Sequence, residues 1–262
     1  MLQKDRSEPS PAAKTEDEVD MRRMTIGALD LSVIDDNDAD TTYIYDEVFG
    51  SQIYHHREMR LPKSPTIMDV GANIGLYTVW AHHRYQPQAI YCYEASPRTF
   101  AYLEDNARRL IRPDITRVSA FNHAIASTRG RTLVLHQSTK VSGISTLLEE
   151  SKVSWIGQAS ASHQLESHEV ASTTVSAEIE AHRLTTVDIL KIDVEGYFLE
   201  VLKGIAPEHV QNIRNIVMEV DYLPETGIKP EEAEDMLKTM GYSTHCLDRS
   251  QGNNLTFYAW RA

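Results

Sequence analysis

The sequence predicts an α/β fold: a doubly wound, mostly parallel sheet that is closed by a C-terminal antiparallel hairpin. Three observations lead to this fold class. Short apolar runs alternate with helical segments, which is typical of parallel strands joined by crossover helices. A glycine-rich turn lies between the first of these runs and its helix. The last two apolar runs are joined by a Gly252-Asn253 turn, which is typical of a hairpin.

The N-terminal part of the chain precedes this alternation. Residues 1–22 are rich in charged residues and poor in apolar side chains, so they predict a disordered or linker-like tail. The remaining residues, 23–262, are expected to form one domain. Within it, residues 24–34 alternate like a pair of short strands, and residues 41–60 have apolar side chains at helical spacing. We expect residues 41–60 to form a cover over the sheet.

The main strands and helices follow from the apolar runs. We predict parallel strands at residues 66–70, 89–94, 117–125, 186–194 and 215–220. Helices are predicted at residues 76–85, 97–110, 198–205 and 230–240, and the strands of the terminal hairpin at 242–248 and 255–260. Residues 131–136 form a further short apolar run. The segment 137–175, rich in Ser, Thr, Gln and His, interrupts the alternation and predicts an inserted, lid-like loop.

The composition limits the partners. The 262 residues include 26 Lys and Arg against 38 Asp and Glu, a formal net charge of −12. Such a charge disfavours nucleic acid and anionic membranes, because binding phosphates needs a basic face. Cys92 and Cys246 have no disulfide or zinc spacing, and no apolar run has the length of a membrane span. We therefore expect a cytoplasmic protein with a small-molecule or carrier-bound substrate.

A cofactor motif connects the first predicted strand to its helix. The sequence DVGANIG covers residues 69–75, where glycines allow a sharp turn and close approach of a ligand. Glu94 ends the second strand, where α/β sheets place an acid that binds ribose hydroxyls. A tight strand-to-helix turn alone would explain the glycines but not Glu94. The pair therefore predicts a nucleotide-type ligand.

The acid at the start of this motif indicates which nucleotide-type ligand binds there. Asp69 stands two positions before Gly71, and the spacing differs from the G-x-G-x-x-G pattern of dinucleotide sites. Its carboxylate would repel a pyrophosphate and attract a cofactor that carries an ammonium and a sulfonium. We therefore predict S-adenosylmethionine rather than NAD or ATP.

Further motifs carry a family resemblance. Together with DVGANIG, the sequence contains YEASP (93–97), NHAIAS (122–127), SGIS (142–145) and DILKIDVEGYFLEVLKG (188–204). In order and spacing these resemble the FkbM-type family of class I S-adenosylmethionine-dependent methyltransferases. Residues 43–59, YIYDEVFGSQIYHHREM, are similar to the segment before this motif in members associated with polyketide synthases.

The resemblance implies a Rossmann-like class I methyltransferase sheet, a cofactor pocket at the carboxyl ends of the first three strands, and O-methylation of a hydroxyl. It also implies cofactor contacts by position. The methionine and ribose side would be lined by Asp69, Gly71, Asn73 and Gly75, the ribose hydroxyls would be bound by Glu94 with Ala95 beside it, and adenine would be flanked by Asn122, His123 and Ala124. Tyr45 would be a further cofactor contact.

Carboxylates at the ends of two strands are the predicted catalytic residues. Asp193 and Glu195 are two residues apart, so in extended backbone they project to one side. Glu219 and Asp221 repeat this spacing on the next strand. Converging carboxylates favour a cation between them, so Asp193 and Glu219 are also a candidate Mg²⁺ site. Alternatively, some of these acids cap helices or pair with Lys191 and Lys203.

A histidine base is the competing mechanism. His56 in the cover and His168 in the inserted segment would both lie over the pocket, and a histidine accepts protons near neutral pH. Each histidine could equally be an ordinary surface residue.

These observations predict an O-methyltransferase that acts on a hydroxyl of a secondary metabolite, of polyketide type or tethered to an acyl carrier protein. Two alternatives stay open: methylation of a sugar hydroxyl, and a non-catalytic module that binds S-adenosylmethionine. The fold class alone does not decide between them.

Overall fold

The computed structural model describes residues 21–34, 38–140, 143, 145–148, 165–221, 229–248 and 254–261. The elements in chain order are β1 (Arg23–Ile26), β2 (Leu29–Ser32), α1 (Ala39–Tyr45), β3 (Thr66–Val70), α2 (Leu76–Tyr85), β4 (Ala89–Tyr93), α3 (Pro97–Leu110), β5 (Arg117–Phe121), β6 (Ala124–Ile125), β7 (Thr132–Ser138), β8 (Ser145–Thr146), β9 (Leu165–Thr173), α4 (Val175–Ala181), β10 (Ile189–Ile192), α5 (Phe198–Lys203), α6 (Pro207–Val210), β11 (Asn215–Asp221), α7 (Pro230–Thr239), β12 (Ser243–Asp248) and β13 (Asn254–Trp260). A π-helical turn, Asp46–Ser51, follows α1.

A seven-stranded sheet forms the centre of the fold, in the order β12-β13-β11-β10-β3-β4-β5. The strands from β11 to β5 are parallel, and β13 and β12 add as an antiparallel hairpin. The chain runs outward from β3 to β5 and then returns to place β10 on the other side of β3. Strand order therefore reverses between β3 and β10, the point where α/β sheets bind ligands. This confirms the predicted fold class.

Burial explains why these segments form strands and helices. Every residue of β3, β4 and β10 is buried, as expected of parallel strands covered on both faces. Helix α3 begins at Ser96, whose hydroxyl accepts a hydrogen bond from the Thr99 N–H at 3.1 Å, and Pro97 occupies its first position. Among the described residues, no helix is long and apolar enough to cross a bilayer.

Two sequence predictions need correction. The strand predicted at 117–125 is broken at Asn122, whose side-chain amide donates to the carbonyls of Glu94 and Ala95 and turns the chain there. The lid-like segment predicted at 137–175 includes β9, which pairs antiparallel with β7 in a separate four-stranded sheet of order β6-β9-β7-β8. Its function as a lid stays a prediction. The predicted tail up to residue 20 and the Gly252-Asn253 turn lie outside the described residues.

The predicted N-terminal cover packs on the sheet as helix α1, the π-helical turn and the loop after it. Val48, Ile53 and Tyr54 are buried in the same apolar cluster as β3 and β4 side chains. The Tyr258 hydroxyl on β13 donates to the Ile53 carbonyl at 2.6 Å. The cover is thereby attached to the antiparallel edge of the sheet.

Gly71 sits where β3 and β10 approach most closely. Its φ is +74°, and a Cβ there would lie 1.7 Å from the Asp193 carbonyl oxygen. Gly71→Ala should therefore destabilise the fold by more than the roughly 1–2 kcal/mol of left-handed strain alone, as measured by urea denaturation. Gly130→Ala is the control, because Gly130 also has φ +74° but has no atom within 4 Å of an added Cβ. Equal losses in the two variants would contradict the proposed backbone clash.

Candidate active site

Two adjoining cavities open at the carboxyl edge of the central strands. The first, of about 280 Å³, lies under the N-terminal cover, and the second lies between the ends of β3 and β4 and residues 145–147. Four residues line both cavities, and these are Asn73, Gly143, Asp193 and Glu195. The cavities therefore meet beside the glycine-rich turn and the carboxylates that follow β10.

The first cavity is lined by aromatic and apolar side chains together with several carboxylates. The cover contributes Tyr43, Ile44 and Val48, and α2 contributes Leu76 and Tyr77. The carboxylates that line it are those of Asp40, Glu47, Asp193, Glu195 and Glu219. This composition suits a ligand with an apolar body and a hydroxyl or cationic group that contacts the carboxylates.

An apolar wall and a buried carboxylate line the second cavity. Ala124, Ile125 and Leu135 form its apolar wall, and Glu94 lies at the end of β4. Glu94 is 6% exposed, and its two oxygens accept the N–H groups of Asn73 at 2.9 Å and Ser96 at 2.8 Å. A carboxylate has about four lone-pair sites, so each oxygen can still accept a hydroxyl. Burial raises the pKa of Glu94 to about 7, although both backbone hydrogen bonds act against this.

The buried side chain of Lys191 on β10 contacts residues at the end of β3. Its ammonium lies 3.3 Å from Asp69 Oδ1 and 3.3 Å from Asp193 Oδ2, and it donates to the Gly71 carbonyl at 2.6 Å. Burial alone would lower the pKa of Lys191, but the carboxylates of Asp69 and Asp193 outweigh it and hold the pKa above its ordinary value. The ammonium thus fixes Asp193 at the junction of the cavities.

Tyr54 connects two carboxylates of the first cavity. Its hydroxyl lies 2.8 Å from Asp193 Oδ2 and 3.1 Å from Glu219 Oε2. Strands β10 and β11 are parallel neighbours, which brings the two acids to the same edge. Tyr54 therefore holds Asp193 and Glu219 in a fixed relation.

Two non-glycine residues at the junction have left-handed backbone. Asn73 has φ +49° and Glu195 has φ +47°. Asparagine tolerates this conformation, whereas for glutamate it is uncommon and costs about 1–2 kcal/mol. The Glu195 carbonyl accepts a hydrogen bond from the Thr146 hydroxyl at 2.7 Å. Residues 145–147, which line the second cavity, are thereby attached to the turn after β10.

Most of the predicted site residues lie at the cavities. The second cavity is lined by Gly71, Asn73, Glu94, Ala95, His123, Ala124, Asp193 and Glu195, and the first by Asn73, Asp193, Glu195 and Glu219. These positions agree with what their predicted cofactor and catalytic functions require. The functions themselves stay predictions.

Three predicted cofactor contacts lie beneath the cavities instead. Asp69 is fully buried, accepts the Thr78 hydroxyl at 2.6 Å and pairs with Lys191, so it is neutralised inside the sheet and does not attract a cofactor directly. Gly75 packs against Leu103 at the start of α2. Asn122 uses its amide to support the turn after β4.

Three other predicted site residues lie away from both cavities. Tyr45 stacks on Phe49 with ring centroids 4.6 Å apart. His56 stacks on Tyr258 of β13, with ring centroids 4.8 Å apart. His168 lies on β9 and pairs with Glu166 at 3.3 Å. Their placement gives no support to a histidine base or to a cofactor contact by Tyr45.

The predicted Mg²⁺ site finds no support in this geometry. The Tyr54 hydroxyl occupies the position between Asp193 and Glu219 that a shared cation would need. Within the described ranges, no three His, Cys, Asp or Glu side chains form a group that could hold a metal ion. The side chain of Asp221 lies outside the described part of the chain.

Sequence reasoning missed four residues of the site. Lys191 was considered only as an alternative partner of the acids, although a lysine inside a buried strand is itself a signal of a paired charge. Tyr54 and Tyr77 have no sequence signal that distinguishes them from aromatic residues of the core. Thr146 lies in the inserted segment, where no pattern distinguished it.

The fold and the site together define a class: an α/β protein with a nucleotide-type site at the point where strand order reverses. The chain belongs to the FkbM methyltransferase family, because the family model "Methyltransferase FkbM domain" matches residues 69–252. It is therefore an S-adenosylmethionine-dependent methyltransferase. The resemblance noted in the sequence is confirmed.

Two named relatives, from Sordaria araneosa and Streptomyces tacrolimicus, agree with this membership. The chain is 32% identical to methyltransferase sdnD of Sordaria araneosa, over 76% of this chain and 81% of that protein. It is 26% identical to the 31-O-demethyl-FK506 methyltransferase FkbM of Streptomyces tacrolimicus, over 78% and 82% of the two chains. A solved structure of magnesium protoporphyrin IX methyltransferase from Synechocystis PCC 6803 with bound SAM has a TM-score of 0.45 and 12% identity, covering 85% of this chain and 80% of that one.

The residues of the second cavity fit an adenosine group. Glu94 offers free lone pairs for two ribose hydroxyls, and the apolar wall of Ala124, Ile125 and Leu135 suits an adenine ring. At the junction, the carboxylates of Asp193 and Glu195 suit the cationic end of the cofactor. The donor set is therefore that of an S-adenosylmethionine site.

The raised pKa of Glu94 predicts pH-dependent cofactor affinity. The ionised carboxylate is the better acceptor for ribose hydroxyls, and below pH 7 the carboxyl is increasingly protonated. S-Adenosylhomocysteine should therefore bind about tenfold more tightly at pH 8 than at pH 6, measured by calorimetry. Glu94→Gln is the control and should bind weakly with little pH dependence. A wild-type affinity that does not change over this range would contradict the assignment.

Removing the buried ammonium should destabilise the protein. Lys191→Met leaves Asp69 and Asp193 without their shared cation, which should lower the free energy of unfolding by about 3–5 kcal/mol, measured by chemical denaturation. Lys191→Met combined with Asp69→Asn removes the most buried uncompensated charge and should recover much of the loss. No recovery in the double variant would show that packing rather than charge is responsible.

Proposed function

We propose that the protein is an O-methyltransferase that methylates a hydroxyl group of a small-molecule secondary metabolite, of polyketide type and free or presented by an acyl carrier protein. The observation that carries this proposal is the position of Asp193, a carboxylate at the junction of the two cavities. A proton acceptor at that point is what transfer to a neutral hydroxyl requires. The name of the Streptomyces tacrolimicus relative, which specifies a 31-O position, supports the same chemistry.

S-Adenosylmethionine, when bound, supplies a methyl group on a positively charged sulfur. Glu94 and the apolar wall of the second cavity would hold its nucleoside end, and Asn73, Asp193 and Glu195 would surround its reactive end. Tyr43, Ile44 and Val48 of the cover would hold the apolar body of the substrate and exclude water. Alignment of the two reactants accounts for much of the rate enhancement in such displacements.

Asp193 is the residue proposed to accept the hydroxyl proton. Lys191 forms an ion pair with its carboxylate, and Tyr54 fixes its orientation. A substrate hydroxyl in the first cavity would donate to Asp193 as its oxygen approaches the methyl group. The aromatic and aliphatic walls favour a substrate with a largely apolar body over a free sugar, whose hydroxyls would lose hydrogen bonds to water there.

Product analysis tests the reaction class and the substrate class. The protein would be incubated with S-adenosylmethionine labelled with ¹³C at the methyl group and three kinds of acceptor: free hydroxylated polyketides, the same compounds as carrier-protein thioesters, and sugars. We expect the label on oxygen of a polyketide-type acceptor, identified by NMR. Label on nitrogen or carbon would contradict O-methylation, and label on sugars alone would replace the substrate class.

Asp193→Asn tests the assigned proton acceptor. Turnover should fall by about 10²–10⁴-fold because the amide cannot take the proton. The affinity for S-adenosylhomocysteine should fall by much less, because Glu94 and the apolar wall of the second cavity still hold its nucleoside end. Asp114→Asn is a matched control, since Asp114 is exposed and pairs with Arg112 on the surface. Full turnover in Asp193→Asn would remove this residue from the mechanism.

A further inference from the structure

Tyr54 makes contacts that its own single proton does not satisfy. Its hydroxyl lies within hydrogen-bond distance of Asp193 Oδ2, at 2.8 Å, and of Glu219 Oε2, at 3.1 Å. A phenol has one proton, so it cannot donate fully to two ionised carboxylates at once. One added proton satisfies both contacts, because the protonated carboxyl donates to the Tyr54 oxygen while Tyr54 donates to the other carboxylate.

We propose that Asp193, Tyr54 and Glu219 form one proton-accepting unit, in which Tyr54 passes the proton between the two carboxylates. This inference rests on the proposed O-methylation. As the substrate oxygen bonds to the methyl carbon and the carbon–sulfur bond breaks, the bonding electron pair stays on sulfur and the hydroxyl proton moves to Asp193. Two short transfers, from Asp193 to Tyr54 and from Tyr54 to Glu219, then leave Asp193 ionised and Glu219 neutral.

The surroundings hold the three groups in place. Tyr54 is 4% exposed and Glu219 8% exposed. The Tyr54 ring packs edge-on against Tyr77 at 5.2 Å, and the Lys191 ammonium lies 5.4 Å from its centroid. Because the hydroxyl has little freedom to leave either carboxylate, it remains placed for transfer in both directions.

Lys191 gives the transfer its direction. Its ammonium lies 3.3 Å from Asp193 Oδ2 and forms an ion pair with the Asp193 carboxylate. A proton that moves from Asp193 to Glu219 restores this ion pair. Among the described residues, the charged groups near the unit include Asp69, which shares Lys191, and Asp40, Glu47 and Glu195 in the walls of the same cavity. Asp193 is thereby restored as a base after each transfer.

Carboxyl NMR of the full chain tests the shared proton without any substrate. With ¹³C at the Asp and Glu carboxyl carbons, assigned through Asp193→Asn and Glu219→Gln, the two signals should move in the same pH step in the wild type. Tyr54→Phe should separate them into two steps. Tyr77→Phe is the control in this titration, because the Tyr77 hydroxyl has no hydrogen-bond partner among the described residues. Independent steps in the wild type, or a shared step that survives Tyr54→Phe, would overturn the proposal.

Turnover with the hydroxyl acceptor from the product assay provides the second readout. Tyr54→Phe should lower kcat about tenfold and leave the affinity for S-adenosylhomocysteine within twofold. Tyr242→Phe is the control, because its buried hydroxyl also contacts two oxygens, the carbonyls of Val210 and Ile213, away from the cavities. Unchanged kcat in Tyr54→Phe would overturn the proposal.

The two readouts separate this inference from the proposed function. A shared titration without any O-methylated product would contradict O-methylation and leave the proton-sharing unit in place. If Tyr54→Phe does not fold, Glu219→Gln is the variant to titrate instead. The pH step of the Asp193 carboxyl carbon should then move relative to the wild type. If the pH step of the Asp193 signal is the same in Glu219→Gln as in the wild type, the proposed proton-sharing unit is equally overturned.

Discussion

Lys191 places a positive charge between the two central strands, with only 2% of the residue exposed. The ammonium contacts Asp69 of β3, Asp193 at the end of β10 and the carbonyl of Gly71. The buried charges of Lys191 and Asp69 need partners at close range. The arrangement of the glycine-rich turn and of the Asp193 carboxylate therefore depends on one side chain.

The turn after β3 and the turn after β10 are built as one unit around this charge. Gly71 approaches the Asp193 carbonyl so closely that no side chain fits between them. Asn73 and Glu195, both with left-handed backbone, then face the junction of the cavities. The geometry of the two cavities at their junction is thus fixed by the same contacts, which suits the proposed reaction because methyl transfer requires close alignment of its reactants.

Local patterns predicted the parallel strands and the helices α2 and α3, because buried strands and amphipathic helices carry their signal in consecutive residues. The break at Asn122 depends on hydrogen bonds to Glu94 and Ala95, and the strand β9 depends on its pairing with β7 across a long segment. Neither leaves a local signal. The same holds for the site. The glycine-rich turn and Glu94 could be predicted from local sequence, whereas the contact between Tyr54 and Asp193 joins residues 139 positions apart.

The hydrogen bond from Tyr258 to Ile53 has a consequence for how the protein is made. It joins residues 205 positions apart, so the cover leaves the ribosome long before the strand on which it packs. Until β13 emerges, the apolar side of the cover has no partner at this edge. Packing of the cover against β13 is therefore a late event of synthesis, and a nascent chain that stalls before β13 exposes an apolar surface that chaperones recognise.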